Sequence, residues 1–319
     1  MNREAGEEPA FFFYCGYLCP VSQSLKTALL RLHLAVLLWG FTAVLGKLIS
    51  YGSFNLVWHR MLLTTLFYLF IPAVWRGFRT LNSKHLTVFA GIGVLIALHW
   101  VTFYGSIKIG NSVSLALGCF GAVSFFAALL EPLIIRTPFR KQELMLGLLV
   151  LAGLALIYQA RPQETVAAAN FMAAAGVGII SAFLAALFSV LNKKYLSTHS
   201  TLSVSTLELG SGFVFLSLLL PWLVDPGFVW IPAGWDIFWD LLLALVCTNL
   251  AFFLGTDALK HVSAFTANLA VNLEPVYGIL FAAFLFKEYE VLNLWFYAGA
   301  AVILASVVLQ PLLQKYGKH

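Results

Sequence analysis

Five side chains that can carry charge or form hydrogen bonds interrupt long apolar stretches of this sequence. Glu274 lies near the middle of one stretch, and Arg60 and Glu208 lie within two others. His99 and Asn249 fall at matching places in two more. An ionisable group at the centre of a bilayer costs about 2.5–3.5 kcal/mol on insertion scales, so each such group requires an explanation. The chemistry that these groups offer is the binding of a polar solute or of a proton.

Glu274 is followed by Pro275, which cannot donate a hydrogen bond to the carbonyl of Val271 and therefore loosens the helix. Broken helices near the midplane are common at transporter sites, because freed carbonyls can face a cavity. Asn268 and Asn272 share one helical face with Pro275, whereas Glu274 points away from it. One face is expected to line a cavity and the other to contact a neighbouring helix. Glu274 could instead be a structural residue bonded to that neighbour.

The other candidates also have two interpretations each. Arg60 could serve a gate or extend to the outer headgroups. Glu208 could serve a gate or pack against a basic residue at its end of the helix. His99 could relay protons or only pack, and Trp39 could form a cavity wall or only pack. The residues predicted to line a cavity are Trp39, Arg60, His99, Tyr104, Glu208, Asn249, Asn268, Asn272 and Glu274, with Pro275 as the helix break.

Composition identifies the solvent around these groups as lipid. The 319 residues are 61% hydrophobic and 10% charged, against about 25% charged residues in soluble domains. The net charge of +5 does not indicate nucleic-acid binding, because the basic residues lie in short loops rather than in one patch. The sequence has no Walker-like or other phosphate-binding glycine motif, which argues against ATP use. No metal-ligand spacing is present, so no metal or cofactor is expected.

Apolar windows of about 20 residues predict an all-α polytopic membrane protein with ten transmembrane helices. Two inverted five-helix repeats would enclose a central cavity. The chain is predicted to divide into an N-terminal tail (1–28), a first repeat (29–160), a linker (161–170), a second repeat (171–311) and a C-terminal tail (312–319). The predicted spans are 29–49, 54–75, 87–107, 112–134 and 143–158 in the first repeat and 171–192, 204–224, 235–256, 264–286 and 292–310 in the second.

Matching landmarks about 150 residues apart indicate the repeat. Residues 44–47 (VLGK) correspond to 190–193 (VLNK), and residues 103–106 (FYGS) correspond to 253–256 (FLGT). Because five is an odd number of spans, the second copy would enter the membrane from the opposite side. Many secondary transporters build two alternating gates around one site in this way.

The basic residues predict the orientation. With the N-terminus in the cytoplasm, 14 of the 19 lysines and arginines fall in cytoplasmic segments and 5 on the outer side. This positive-inside bias places both termini in the cytoplasm and the protein in the cytoplasmic membrane.

The sequence resembles the EamA-type ten-helix members of the drug/metabolite transporter superfamily. In the second half the resemblance lies in residues 268–278 (NLAVNLEPVYG), in 286–288 (FKE) and in Gly299; the first half has a looser version in 130–132 (LEP) and Gly147. It covers about residues 29–158 and 171–310. Small four-helix relatives use a glutamate in the first helix for proton exchange, whereas neither the first nor the sixth predicted span here contains an acidic residue.

The resemblance implies secondary transport by alternating access of a small metabolite, which is amino-acid-like or another polar or amphipathic solute, with export as the expected direction. Protons or a counter-solute are candidates for coupling, and the lipid bilayer is the other expected partner. The alternatives are an intramembrane enzyme and a non-transporting receptor or scaffold. An enzyme should bring a nucleophile, base or metal cluster to one depth, and only His99 and Glu274 approach that arrangement. We therefore expect no enzymatic activity.

Overall fold

The fold is entirely helical in the part of the chain that the computed structural model describes, which comprises residues 23–159, 165–197, 199–223, 227–287 and 293–316. The predicted linker's first residues, the two N-terminal cysteines (Cys15 and Cys19) and most of the N-terminal tail lie outside the described residues. The helices are α1 (Gln23–Leu48), α2 (Ser53–Leu69), α3 (Pro72–Phe78), α4 (Ser83–Gly110), α5 (Val113–Phe120), α6 (Val123–Ile135), α7 (Lys141–Gln159), α8 (Thr165–Tyr195), α9 (Thr201–Leu223), α10 (Trp235–Leu241), a π-helix (Leu242–Leu250), α11 (Ala251–Ala258), α12 (Ala264–Val271), α13 (Glu274–Phe286) and α14 (Leu294–Tyr316).

Seven helical stretches of the described residues are long and apolar enough to cross a membrane, or eight if a bent pair is one span. That pair is α2 and α3, which meet at 90°. The single helix predicted over 54–75 is therefore wrong at its end. Pro72 begins α3, and a proline there disfavours helical backbone at Ile71. Leu294–Ser306 is a shorter apolar helix.

The fourth predicted span of each half consists of two helices in line. An 8-residue helix, α5 or α12, precedes a 13-residue helix, α6 or α13. The side chains of Ser112 and Ser263 accept hydrogen bonds from the backbone at the start of the two short helices. Pro275, in the first turn of α13, accounts for the second break. The first break falls at Gly121 without a proline, and the sequence analysis did not predict it.

The third span differs between the halves. In the first half, α4 is one helix of 28 residues. In the second half, the nine-residue π-helix separates α10 from α11. Within it the Thr248 hydroxyl donates to the Leu243 carbonyl at 2.6 Å. Such wide turns are frequent at functional sites because they redirect side chains.

The two halves, α1–α7 and α8–α14, pack through reciprocal pairs. Helix α1 contacts the π-helix and α11, just as α8 contacts α4. Helix α1 also contacts α12 and α13, as α8 contacts α5 and α6. The broken spans pack as α5 against α13 and α6 against α12, with α2 against α9 and α7 against α14. Each half therefore completes the other, and the helix breaks come together at the centre.

Candidate solute cavity

A cavity lies where the broken helices meet α1, α2, α4, α8 and α11. It encloses about 770 Å³ of space between atoms, including space open to the exterior. Of the residues predicted for the site, Trp39, Arg60, His99, Asn268 and Glu274 line it. The helices that position them come from both halves of the chain.

Arg60 is buried at the cavity wall, with 3% of its surface exposed. Its Nε donates to Thr248 Oγ1 at 2.6 Å, and its Nη1 donates to the Tyr104 hydroxyl at 2.9 Å. The guanidinium carbon lies 3.6 Å from the centre of the Trp100 ring, which is a cation–π contact. Arg60 therefore does not extend to the headgroups, because its partners hold it inside the protein.

Glu274 begins α13 and contributes a carboxylate to the same cavity. The carboxylate has no hydrogen bond and no ion pair within 4.0 Å among the described residues. Arg60 interacts with it electrostatically from beyond that distance. The Arg60 and Glu274 side chains thus face one space without forming an ion pair with each other. Asn268, which lines the cavity beside Glu274, donates to Ser189 Oγ at 2.9 Å and to the Ala264 carbonyl.

His99 lines the cavity but is also held by α8. Its Nδ1 lies 2.8 Å from Ser181 Oγ and 3.0 Å from the Ser181 carbonyl oxygen, and the ring stacks on Phe120. A proton on Nδ1 would be donated to that carbonyl, so Nε2 is the remaining ring nitrogen. The histidine is both packed and available to the cavity.

Six aromatic residues contribute to the rest of the wall. Trp39 packs against Gly255, where a Cβ atom would overlap the indole ring. The space that the missing side chain leaves is what lets Trp39 reach the cavity. The other aromatic residues of the wall are Trp100, Phe103, Phe120, Phe188 and Phe252.

Four of the predicted cavity residues lie elsewhere. Tyr104 is fully buried behind Arg60 and acts as its hydrogen-bond acceptor. Asn272 donates to Ser124 Oγ at 2.9 Å, so it contacts a neighbouring helix. The backbone carbonyl of Asn249 accepts from the Tyr68 hydroxyl at 2.5 Å. Glu208 is fully buried outside the cavity, and Pro275 is buried in the first turn of α13.

Thr248 and Trp100 contact Arg60 but were not among the residues predicted for the site. Trp100 follows His99 directly, so its aromatic neighbourhood was visible, but its stacking on Arg60 was not. Thr248 reaches Arg60 from the π-helix, and a regular helical periodicity places its side chain differently. The Thr248 contact follows from the π-helix, which replaces the regular helix found in α4 of the first half. That difference is visible in the structure and not in the sequence.

Glu131 of the first half binds the backbone at the start of a helix of the second half. It is buried, and its two carboxylate oxygens accept from the backbone of Ala264 at 3.2 Å and of Phe265 at 2.6 Å. These are free N–H groups at the start of α12, where a negative charge is favourable. Glu131 therefore caps the start of α12 from the other half of the chain.

Polar contacts join the two halves at both ends of the molecule. At one end the hydroxyl of Tyr51 donates to Asp240, and both residues are buried. Tyr51 lies between α1 and α2, and burial together with the Asp240 carboxylate raises its pKa, so it keeps its proton. Nearby, the Asn55 amide pairs with the backbone of Val229 through bonds of 3.0 Å and 2.7 Å. This end is closed by buried contacts.

At the opposite end the contacts are more exposed. Arg31 on α1 pairs with Asp257 on α11 at 2.7 Å, with side-chain exposures of 44% and 15%. Thr201 donates to the same aspartate at 2.9 Å. The cavity extends toward this end, since Leu32, Ser189 and Leu259 belong to its lining.

The fold and the cavity together define a polytopic helical membrane protein made of two packed halves. The chain belongs to the EamA-like transporter family, because the sequence model of that family matches residues 26–159 and again residues 172–310. The family resemblance read from the sequence is confirmed, and the chain is a membrane transporter of small solutes. A search of curated proteins finds no match. A solved structure titled "Crystal structure of protein" shares the fold with a TM-score of 0.65 and 15% identity, over 92% of this chain and 99% of that chain.

Proposed function

We propose that this protein is a secondary transporter of a small zwitterionic, amphipathic solute such as an amino acid. The observation that carries the proposal is the Glu274 carboxylate, which faces the cavity without a protein partner in the described part of the chain. A carboxylate held away from both water and counter-charge is costly. A cationic group of the solute would remove that cost.

The rest of the cavity suits the other parts of such a solute. Arg60 uses Nε and Nη1 within the protein, and its Nη2 has no hydrogen bond to a described residue. That group is available to a carboxylate, for which arginine has the right geometry. The aromatic wall would accommodate an apolar side chain. Opposite charges on two sides of an apolar cavity favour a zwitterion over an anion, a cation or a sugar.

Alternating access is the mechanism that we infer. Ten spans in two inverted repeats would allow the buried Tyr51–Asp240 end and the exposed Arg31–Asp257 end to open in turn. The reciprocal packing of the halves supports this arrangement. The conformation described here would be open toward the Arg31 end, which the basic residues predict to be cytoplasmic.

The orientation can be tested by labelling cysteines in intact cells. In a background without the native cysteines, cysteine at Ser83 or Lys141 should resist an impermeant thiol reagent, while cysteine at Pro232 should react. Labelling of Ser83→Cys from outside would contradict the predicted topology, provided that Pro232→Cys confirms surface expression.

The function itself can be tested in proteoliposomes loaded with the purified protein. Wild type should take up labelled phenylalanine or leucine, with sugars and nucleobases as competitors that have little effect. Glu274→Gln keeps the shape of the side chain and removes its charge, so uptake should fall at least about tenfold, equivalent to about 1.4 kcal/mol. Glu143→Gln is the matched control, since Glu143 is buried against Arg140 outside the cavity. Normal uptake by Glu274→Gln would remove Glu274 from the site.

A further inference from the structure

A second group of buried polar side chains lies outside the solute cavity. Asn192 near the end of α8, Ser205 on α9 and Glu208 one turn further are each 0% exposed. Within the described chain, none of the five polar side-chain atoms of these residues has a hydrogen-bond partner. None of the three residues lines the cavity. We call them the Glu208 cluster.

Among the described residues, no cation is paired with Glu208 to balance a negative charge. The Asn192 amide is the polar side chain that interacts with it, and no described lysine, arginine or histidine forms an ion pair with it. The ring of His85 on α4 contacts the ring of His199, with 4.3 Å between the ring centres. The helices that contact α9 also carry Arg60, Tyr68, His99 and Asp257, and α8 carries Lys193; each of these groups is hydrogen-bonded elsewhere.

Hydrogen-bond complementarity distinguishes the two states of the acid. An ionised Glu208 offers only acceptors, so it could accept from Asn192 Nδ2 but would leave Asn192 Oδ1 without a donor. A protonated Glu208 could donate its O–H to Oδ1 and accept from Nδ2 at the same time. The acid–amide pair then satisfies four of the five atoms.

We propose that Glu208 is a proton-binding site that couples solute movement to proton movement. In the conformation described here it is a neutral carboxylic acid paired with Asn192. When water reaches Glu208 in another conformation, the O–H bond breaks, the proton passes to water and the electron pair remains on the carboxylate. Coupling rests on the proposed transport function, whereas the protonation of Glu208 does not.

Infrared difference spectroscopy of the full chain in lipid nanodiscs tests the protonation directly. Wild type minus Glu208→Gln at neutral pH should show the carbonyl band of a protonated carboxylic acid, shifted when D₂O replaces H₂O. Asn192→Ala should keep this band and move it to higher frequency, because the amide no longer bonds the acid. A carboxylate band in place of the acid band would overturn the proposal. If Glu208→Gln does not fold, the spectrum of Asn192→Ala is compared with that of the wild type instead. Identical carbonyl bands in the carboxylic-acid region would then overturn the proposal.

Uptake of labelled phenylalanine under a pH gradient tests the coupling. Wild type should accumulate the probe against its own gradient when a pH gradient is imposed, and Glu208→Gln should only equilibrate it. Wild-type uptake that ignores the pH gradient would refute coupling while leaving the transport function intact. Absence of any wild-type solute uptake would instead refute the transport function, and the infrared result would still decide the protonation state.

Discussion

The two halves of this protein use one pair of equivalent positions in opposite ways. Arg60 is the eighth residue of α2 and Glu208 is the eighth residue of α9, and both are buried. Arg60 has Thr248 and Tyr104 as partners. Among the described side chains, the amide of Asn192 is the one that interacts with the Glu208 carboxyl. The repeat therefore fixes where a side chain lies but not what surrounds it.

The neighbours of these positions explain the difference. The FYGS motif of the first half supplies Tyr104, and the FLGT motif of the second has Leu254 in its place. Gly46 makes room for the Tyr104 ring, and its counterpart in the second half is Asn192. These two differences, together with Arg60 and Glu208 themselves, distinguish a bonded cation at the cavity from a buried acid away from it.

The dipeptide Glu-Pro gives a second comparison. Glu131 and Glu274 each precede a proline, but they occupy different turns of their spans. Glu131 holds the start of α12 through two backbone N–H groups. Glu274 faces the cavity. The first carboxylate should contribute to stability and the second to transport.

Replacing Arg60 should have the largest effect. Arg60→Lys keeps the charge but cannot bond Thr248 and Tyr104 while stacking on Trp100, because an ammonium lacks the planar fork. Proteoliposome uptake should fall about 100-fold, corresponding to about 2.7 kcal/mol. Arg76→Lys, at an exposed position on α3, should transport normally. Unimpaired uptake by Arg60→Lys would mean that the contacts of the guanidinium are not required.

Gly46→Ala should destabilise the first half. A Cβ atom at Gly46 would overlap the ring of Tyr104, which is fully buried. Overpacking of this kind costs about 1–3 kcal/mol, measurable as a lower thermal unfolding midpoint in detergent. Gly91→Ala has open space and should be neutral or more stable by up to about 1 kcal/mol. Equal midpoints for the two variants would refute the close contact.

Glu131→Ala should lower stability by about 1 kcal/mol, because the first N–H groups of α12 lose their acceptor. Correctly folded protein should retain its transport rate, which separates this carboxylate from Glu274. A loss of transport at unchanged thermal stability would contradict the assignment.

Arg31→Ala should have the smallest effect. Its ion pair with Asp257 is partly exposed, and such pairs contribute about 0–1 kcal/mol. In salt, which screens surface ion pairs, the unfolding midpoint of Arg31→Ala should differ little from that of the wild type. A loss well above 1 kcal/mol would indicate that this end of the molecule is held more rigidly than its exposure suggests.

Much of this architecture could be predicted from the sequence, because apolar length and the paired motifs depend on local pattern alone. Five of the nine candidate residues line the cavity. Asn272 does not line the cavity because its side chain donates to Ser124 on a neighbouring helix. Which helix lies beside Asn272 cannot be read from the sequence. The Thr248 contact depends on a π-helix, and the first break depends on Gly121 without a proline. Such features arise from packing between distant segments and leave no periodicity to detect.

The central claim is that Glu274 binds the cationic group of the solute, and ligand affinity measured with a matched pair of compounds tests it most directly. Phenylalanine and N-acetylphenylalanine differ in the charge of the amino group. Equilibrium binding to wild type should favour phenylalanine at least about tenfold, or about 1.4 kcal/mol. Glu274→Gln should bind the two compounds within about twofold of each other, through weaker binding of phenylalanine alone. The same preference in wild type and Glu274→Gln would contradict the claim.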